Sequence, residues 1–280
     1  MKLSQTARSF IRRYPLSLRE VIATPMIFRE NVSGFERLPF PTVDVIRDLA
    51  ALACHGSGAL RTAMSRARAS GELKETVDEA GTRRFRLTPM QASVSRVVSG
   101  WQTRPEGFIV GVFSFHAREA AERRAVRESL MYFGFKRIAQ NTYITGMIDT
   151  AGLEEELARA GVSDRFYLFR CPSIEDTALL ARLARVFDVE KRARVLERFH
   201  ADVKAFLEEP GIDRMEIGRR VFYMGPVQHR ICFTEAPPVP ARILPESYPL
   251  AGLMEYLGGF MTRKWESIET YYRTLCGGRT

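Results

Sequence analysis

The 280-residue sequence has little cysteine and no long apolar run, and both deficits narrow the class of protein. Its four cysteines, Cys54, Cys171, Cys232 and Cys276, are scattered and form no C-x-x-C pair, which argues against a zinc site or a disulfide scaffold. No run of about 18 apolar residues is present, so no membrane span is expected. Residues 1–20 lack the apolar segment of a secretory signal. These deficits favour a reducing cytoplasm.

The sequence also lacks the common catalytic and nucleotide-binding motifs. Neither G-x-G-x-x-G nor G-x-x-x-x-G-K-[ST] occurs, and G-x-S-x-G and H-E-x-x-H are missing too. The histidines His55, His116, His200 and His229 show no metal-ligand spacing with each other or with cysteine. We therefore expect no cofactor, no metal site and no catalytic residue.

Positive charge is present in excess and is unevenly distributed. The formal net charge is +9, and residues 1–100 hold 16 Lys+Arg against 9 Asp+Glu, a net +7. The remaining 180 residues carry only +2. A basic region of this kind is typical of nucleic-acid binding, with an anionic membrane or plain solubility as the alternative.

The stretch from Ser57 to Thr88 predicts a helix followed by a two-stranded hairpin. Ser57 is a suitable N-cap, and Gly71 can end the helix in the left-handed conformation. Asp78 to Gly81 supplies the turn between the two strands. The apolar residues at helical spacing, which predict a buried stripe, are Leu60, Ala63, Met64 and Ala67.

The other positions of this stretch carry arginines and small hydroxyl side chains, which reach phosphates and base edges. A solvated surface helix followed by an ordinary hairpin is the alternative interpretation. We expect DNA contacts from Ser57 at the helix start, from Arg61, Thr62, Ser65 and Arg66 on base edges, and from Arg68, Arg83, Arg84 and Arg86 on phosphates.

Two helices are expected before this stretch. Ser17 and Glu20 form a capping box that begins a helix near Leu18, and Pro25 is expected to break or kink it. Thr42 is expected to cap a second helix, which ends at the turn Cys54-His55-Gly56. A helix, a short turn, a basic helix and a hairpin indicate a winged helix-turn-helix in residues 1–100, with the basic helix placed in the major groove.

Residues 107–172 have a different pattern of predicted secondary structure, in the order β-α-β-β-α-β. This is the ferredoxin-like pattern. The expected elements are strand Gly107–Phe115, helix Ala117–Phe133, strands Phe135–Ile138 and Thr142–Ile148, helix Gly152–Ala160 and strand Arg165–Arg170.

Residues 173–280 are expected to be mostly helical, with a proline-rich strap at Ala236–Tyr248. Met215–His229 is apolar and is compatible with a helix or with irregular structure. The expected fold class is therefore an α+β multidomain protein, made of an N-terminal winged helix-turn-helix, a central ferredoxin-like domain and a helical C-terminal domain.

Several local motifs, in order over roughly residues 16–255, resemble the PaaX-like family of transcriptional regulators, named for the phenylacetic acid degradation repressor. The central domain of that family resembles the Cas2 fold. The motifs are Leu60–Leu73, Arg83–Thr88, Phe108–Phe115, Gly134-Phe135, Asn141–Ile144, His229-Arg230, Pro238–Pro240 and Leu244–Pro249. The resemblance implies a homodimeric repressor of an aromatic-acid catabolic operon, bound to a double-stranded operator. It also implies release of the DNA by an acyl-CoA effector such as phenylacetyl-CoA.

The sequence leaves two other classes of function open. The Cas2 resemblance raises a metal-dependent nuclease as the alternative function, but the first strand ends Phe113-Ser114-Phe115-His116, without the carboxylate that Mg²⁺ needs. A protein-interaction adaptor is a third, lesser option. The effector site is unknown. One candidate consists of two basic pairs near the aromatic segment Phe222–Met224, namely Arg219-Arg220 and His229-Arg230. These side chains either contact an acyl-CoA or are surface charges that cover aromatic residues of the core.

Overall fold

The computed structural model describes residues 3–87, 107–115, 120–146, 150–159, 161–234 and 239–277. The chain is mixed α/β, with helices at both ends and two small antiparallel sheets between them. It divides into two compact units. Unit 1 contains Met1–Arg96, Arg198–Gln228 and Gly252–Thr280, and unit 2 contains Val97–Glu197 and His229–Ala251. Residues 101–106, which lie between the first two expected domains, are outside the described residues, as is His116.

The helices and strands fall into three parts along the chain. The first part comprises α1 Gln5–Arg13, α2 Leu18–Asn31, α3 Val43–Leu52, α4 Ser57–Ala69, β1 Leu73–Val77 and β2 Arg83–Leu87. The middle part comprises β3 Phe108–Phe113, α5 Ala120–Tyr132, β4 Lys136–Ala139, β5 Thr142–Gly146, α6 Ala151–Arg159 and β6 Phe166–Cys171. The last part comprises α7 Thr177–Val186, α8 Val189–Leu207, α9 Arg214–His229 and α10 Leu250–Leu275.

Helix α2 begins at the predicted capping box and continues through its proline. The Ser17 hydroxyl accepts a hydrogen bond from the Glu20 amide at 3.3 Å, and the Glu20 carboxylate accepts one from the Ser17 amide at 2.7 Å. Pro25 lies inside α2, which runs to Asn31, so the expected break at Pro25 is not present. Residues on both sides of the proline, among them Val21 and Met26, are fully buried, and this packing outweighs the one lost backbone hydrogen bond.

The core of unit 1 joins the start of the chain to its end through aromatic side chains. The rings of Phe10 and Phe206 stack with centroids 4.1 Å apart, and those of Phe28 and Phe222 at 4.4 Å. Phe35 lies edge-on to Trp265 at 5.1 Å. Such pairs contribute about 0.5–1.5 kcal/mol beyond their buried area.

The last part of the chain contributes to both units. Residues 198–228 and 252–280 belong to unit 1, and residues 229–251 belong to unit 2. The three consecutive domains expected from the sequence stay a prediction. The helical content of residues 173–280 is as expected, and α9 resolves the open question at Met215–His229 in favour of a helix. Of the proline-rich strap, residues 235–238 lie outside the described part, and a short 3₁₀ turn follows at Ala241–Ile243.

Unit 2 contains the four-stranded sheet. Its strand order is β4-β5-β3-β6, and every neighbouring pair is antiparallel. The chain order β3-α5-β4-β5-α6-β6 confirms the predicted β-α-β-β-α-β sequence of elements. Val126 and Leu130 of α5 and Leu153 and Leu157 of α6 are buried. In the described part of the chain, no helix is both long and apolar enough to cross a membrane.

Candidate nucleic-acid interface

Helix α4 occupies the position expected from the sequence and has two different faces. Leu60 and Met64 are buried, and Ala63 and Ala67 are half-buried, so the predicted apolar stripe is confirmed. The helix packs against α2, α3 and β1. Burying a leucine or methionine side chain contributes about 1.5–3 kcal/mol, so the stripe fixes one face of α4 and leaves the other for solvent or a partner.

The two ends of α4 show one correction and one confirmation. Gly56 occupies the N-cap position, with φ −72° and ψ 150°, and Ser57 is the first helical residue, so the prediction that Ser57 caps the helix is wrong by one position. At the other end Gly71 has φ +74° and its amide donates to the Arg68 carbonyl at 3.1 Å, as predicted. The connection from α3 is short and includes Cys54 at φ +60°.

The outer face of α4 carries every residue that the sequence assigned to it. Ser57, Arg61, Thr62, Ser65 and Arg66 are all exposed. The Thr62 hydroxyl donates to the Gly58 carbonyl at 3.1 Å. Among the residues that the structure describes, no carboxylate pairs with Arg61 or Arg66. Two exposed guanidinium groups therefore share this face with small hydroxyl side chains.

Strands β1 and β2 form the predicted hairpin, with Leu73 opposite Leu87 and Val77 opposite Arg83. The Asp78 carboxylate accepts hydrogen bonds from the amides of Ala80 at 3.1 Å and Thr82 at 2.8 Å. The bond from Thr82 and the Arg84 guanidinium hold the pKa of Asp78 below its ordinary value. Gly81 has φ +77°, which completes the turn as expected.

Two of the predicted phosphate contacts lie in surface ion pairs. Glu75 accepts a hydrogen bond from Arg68 at 2.6 Å and lies 3.4 Å from Arg83. The Arg68 side chain is 44% exposed and that of Arg83 is 73% exposed. Surface pairs of this kind contribute about 0–1 kcal/mol. The pairing is weak enough for a phosphate group to compete with Glu75 for both arginines.

Arg84 is directed inward and differs in this respect from the arginines around it. Its side chain is only 12% exposed, and its Nε donates to Asp78 at 2.8 Å. Its Nη1 donates to the carbonyls of Phe40 at 3.2 Å and Cys276 at 2.7 Å. These four groups lie together within unit 1, so Arg84 does not join the exposed cations.

Arg86 is exposed and lies over an aromatic ring. Its guanidinium carbon is 4.8 Å from the centroid of Phe40, and that of Arg29 is 4.4 Å from the same centroid. The structure thus places Arg61 and Arg66 on α4 and Arg83 and Arg86 on β2 at the surface of unit 1. Residues 57–87 hold seven cations and four carboxylates, a net charge of +3.

The sequence interpretation missed a polar cluster that holds α3. Asp48 accepts hydrogen bonds from Nε and Nη2 of Arg219, both at 2.7 Å, and from the Tyr271 hydroxyl at 2.8 Å. Burial opposes the charge of Arg219, but the bond to Asp48 raises its pKa. Burial and the same carboxylate raise the pKa of Tyr271.

Arg219 and Arg220, the sequence's candidate effector contacts, both have partners within the protein. Arg220 donates to Glu216 at 2.9 Å and to Glu209 at 2.7 Å. The adjacent Phe222, Tyr223 and Met224 are buried in the core of unit 1. The spacing of Glu216 to Arg219 and Arg220 is a sequence signal for such pairs, whereas Asp48 carries none, because it lies 171 residues away.

A metal-dependent enzyme would need several metal-binding side chains close together, and the described ranges contain no such group. No group of three or more His, Cys, Asp or Glu side chains there is placed to hold a metal ion. The described end of the first strand of unit 2 presents Phe113, Ser114 and Phe115. The expectation that the chain is not an enzyme stays a prediction.

Comparison with known proteins shows a likeness of fold to a solved structure. No protein-family model matches the sequence, and no curated protein matches it. A solved structure described as uncharacterized protein Rv0674 from Mycobacterium tuberculosis is similar, with a TM-score of 0.55 and 19% sequence identity. The alignment covers 91% of this chain and 99% of that one. At this identity the likeness concerns the fold alone.

Proposed function

We propose that the chain is a regulator of transcription that binds double-stranded DNA, with α2, α3, α4 and the β1–β2 hairpin acting as a winged helix-turn-helix. The observation that carries the proposal is the outer face of α4. Arg61 and Arg66 are exposed there without a carboxylate partner in the described part of the chain, while Leu60 and Met64 anchor the opposite face. A rigid helix that presents exposed guanidinium groups suits a duplex groove.

In this proposal α4 enters the major groove and the hairpin lies along the backbone. Arg61 and Arg66 address guanine edges, where a bidentate arginine contributes about 1–3 kcal/mol of discrimination. Thr62, Ser65 and Ser57 supply the hydroxyl contacts. Arg68, Arg83 and Arg86 contact phosphates, with the first two exchanging Glu75 for a phosphate oxygen.

The finer parts of the proposal follow the resemblance to PaaX-like regulators. The chain then acts as a homodimeric repressor of an aromatic-acid catabolic operon, with unit 2 as the ferredoxin-like, Cas2-like part. An acyl-CoA such as phenylacetyl-CoA releases it from the operator. Addition of phenylacetyl-CoA to the protein–duplex complex tests the last statement, and sedimentation of the free protein tests the dimer.

The central experiment compares two double variants on a duplex selected from genomic fragments. Arg61→Ala/Arg66→Ala removes two charges from the proposed face, and Arg263→Ala/Lys264→Ala removes two exposed charges from α10. The first should lose about 2–6 kcal/mol of binding free energy on the selected duplex and much less on random DNA. The control should bind as the unmodified chain does.

Two outcomes would contradict this assignment. Equal losses by both double variants would show a diffuse electrostatic attraction with no defined face. A wild-type chain that selects no fragment from genomic DNA at low salt would remove the proposal altogether, since phosphate contacts dominate affinity there.

A further inference from the structure

The end of α10 receives its cap from the region of the proposed DNA-binding surface. The last four carbonyls of a helix have no partner within the helix and carry the negative end of its dipole. The Leu275 carbonyl accepts a hydrogen bond from the Thr42 hydroxyl at 2.8 Å. The Cys276 carbonyl accepts one from Arg84 at 2.7 Å, so a cation meets the negative end of the helix.

The Thr42 contact is unusual for a residue at this position. Thr42 occupies the N-cap of α3, where a threonine side chain ordinarily accepts a bond from the helix that it precedes. Here its side chain makes no such cap bond, and its hydroxyl is used on α10 instead. The start of α3 is thereby tied to a segment 233 residues further along the chain.

The segment before α3 links the hairpin and α10 from both sides. The Tyr272 hydroxyl donates to the Pro39 carbonyl at 2.8 Å, and the Phe85 amide donates to the Pro41 carbonyl at 2.9 Å. Arg84 donates to the Phe40 carbonyl between them. Residues 39–42 are therefore held by the second hairpin strand and by the last turn of α10 at once.

We propose that the C-terminal end of α10, residues 271–276, is a positioning element for the duplex-binding surface, and that Arg84 is the positioning residue through which it acts on the hairpin. The inference rests on the proposed function. Arg84 contacts no phosphate; it sets the direction of the adjacent Arg83 and of Arg86, which lies two residues further along β2, and both are exposed. Asp48 of α3 accepts hydrogen bonds from Arg219 and from Tyr271. The same end of α10 therefore also fixes the position of α3.

The physical reason is the tolerance of groove recognition. A binding constellation works only when its groups are held within about 0.5 Å of the productive geometry. An isolated two-stranded hairpin is at best marginally stable in water, so β1 and β2 need an external anchor. The bonds from Arg84 to Asp78, Phe40 and Cys276 supply that anchor at the turn, at the segment before α3 and at α10.

The first test requires no DNA and measures hydrogen exchange of the β1–β2 amides in the full chain. Arg84→Gln and a chain ended after Leu275 should each exchange the hairpin amides about tenfold faster, because each removes the same charge-assisted bond. Arg83→Gln and a chain ended after Gly277 are the matched controls and should leave the rates unchanged. Ending the chain after Leu275 should add little to Arg84→Gln, because that variant already lacks the bond to the Cys276 carbonyl.

Unchanged hairpin exchange in Arg84→Gln would overturn the proposal, and so would an equal acceleration in the controls. If Arg84→Gln fails to fold, Thr42→Val removes only the hydroxyl bond to Leu275. It should accelerate exchange of the Phe40 and Thr42 amides, which are the two amides in residues 39–42, and of the hairpin amides. Unchanged exchange there would count against the positioning element in the same way.

The second test separates this inference from the proposed function. In a salt titration of duplex binding, Arg83→Gln should lower the slope by about one, because a phosphate contact is lost. Arg84→Gln should weaken binding with an unchanged slope, and Arg84→Lys should restore part of the affinity. A lowered slope for Arg84→Gln would make it a phosphate contact and refute the positioning role. A wild-type chain that binds no duplex would refute the proposed function. The exchange experiment would still show whether Arg84 anchors the hairpin.

Discussion

Replacing Gly218 by alanine should separate helix packing from helix propensity within unit 1. Gly218 lies in α9 and faces Tyr271 and Ser267 of α10. A β-carbon built at this position would lie 2.3 Å from Cβ and 2.8 Å from Cγ of Tyr271, and 3.0 Å from the Ser267 carbonyl oxygen. Comfortable carbon–carbon separations are about 3.5–4.0 Å. The obstacle is next to the backbone of α10, so a rotamer change cannot relieve it.

The expected magnitude follows from two opposing effects. Overpacking a close contact costs about 1–3 kcal/mol, and sometimes more. Alanine in a helix interior recovers about 1 kcal/mol relative to glycine. Since Tyr271 is fully buried and its hydroxyl is bonded to Asp48, any widening between α9 and α10 also strains that bond. We expect Gly218→Ala to lower the free energy of unfolding by about 2 kcal/mol.

Gly258 provides the matched control on the partner helix. It lies in α10, and a β-carbon there would meet nothing within 4 Å. Gly258→Ala should therefore raise the stability of unit 1 by about 0.5–1 kcal/mol. Urea denaturation followed by Trp265 fluorescence, in a background carrying Trp101→Phe, measures both variants with one reporter in unit 1. A Gly218→Ala protein that unfolds at the same or a higher urea concentration than the parent would refute the close packing described here.

Two further predictions concern single groups. Because the pKa of Asp78 is lowered in the folded chain, its contribution to stability is complete above the unfolded value of about 3.9 and is lost as the pH falls through the folded value. Hairpin amides should therefore lose protection in acid, and Asp78→Asn should remove that pH dependence. Cys54 is exposed, whereas Cys232 is buried and has a pKa raised to about 12 by that burial, so iodoacetamide should label Cys54 well before Cys232 in the folded chain.

Each of these predictions has a clear contrary result. Acid exchange that is identical in the parent and in Asp78→Asn would show that the turn carboxylate does not support the hairpin. Labelling of Cys232 at the rate of Cys54 without denaturant would show that the core around Cys232 opens readily. Peptide mapping of the labelled protein distinguishes the two cysteines.

Local patterns predicted the elements of the candidate site well. The spacing of Leu60 and Met64 located α4 and its buried face, and Asp78 to Gly81 located the hairpin turn. These features depend on neighbours within a few residues, which a sequence displays directly. The N-cap of α4 moved by one residue because Gly56-Ser57-Gly58 offers two adjacent positions that are both compatible with a cap.

The inward orientation of Arg84 could not be predicted in this way. Alternation along β2 places Arg84 and Arg86 on the face opposite Phe85, which a local reading treats as solvent-exposed. The end of α10 approaches Arg84 there from 192 residues away. The division into units could not be predicted for the same reason, because no local sequence pattern indicates that Phe28 stacks on Phe222.

The construction of unit 1 from three separate stretches has a consequence for its synthesis. The ribosome finishes α2 to β2 long before it makes α10, and at about 5–20 residues per second the delay between Leu87 and Leu275 is roughly 10–40 seconds. During that interval Phe28 and Phe35 have no aromatic partners from α9 or α10 to cover them. The nascent chain should therefore depend on chaperones, and an N-terminal fragment ending near residue 96 should aggregate when expressed alone.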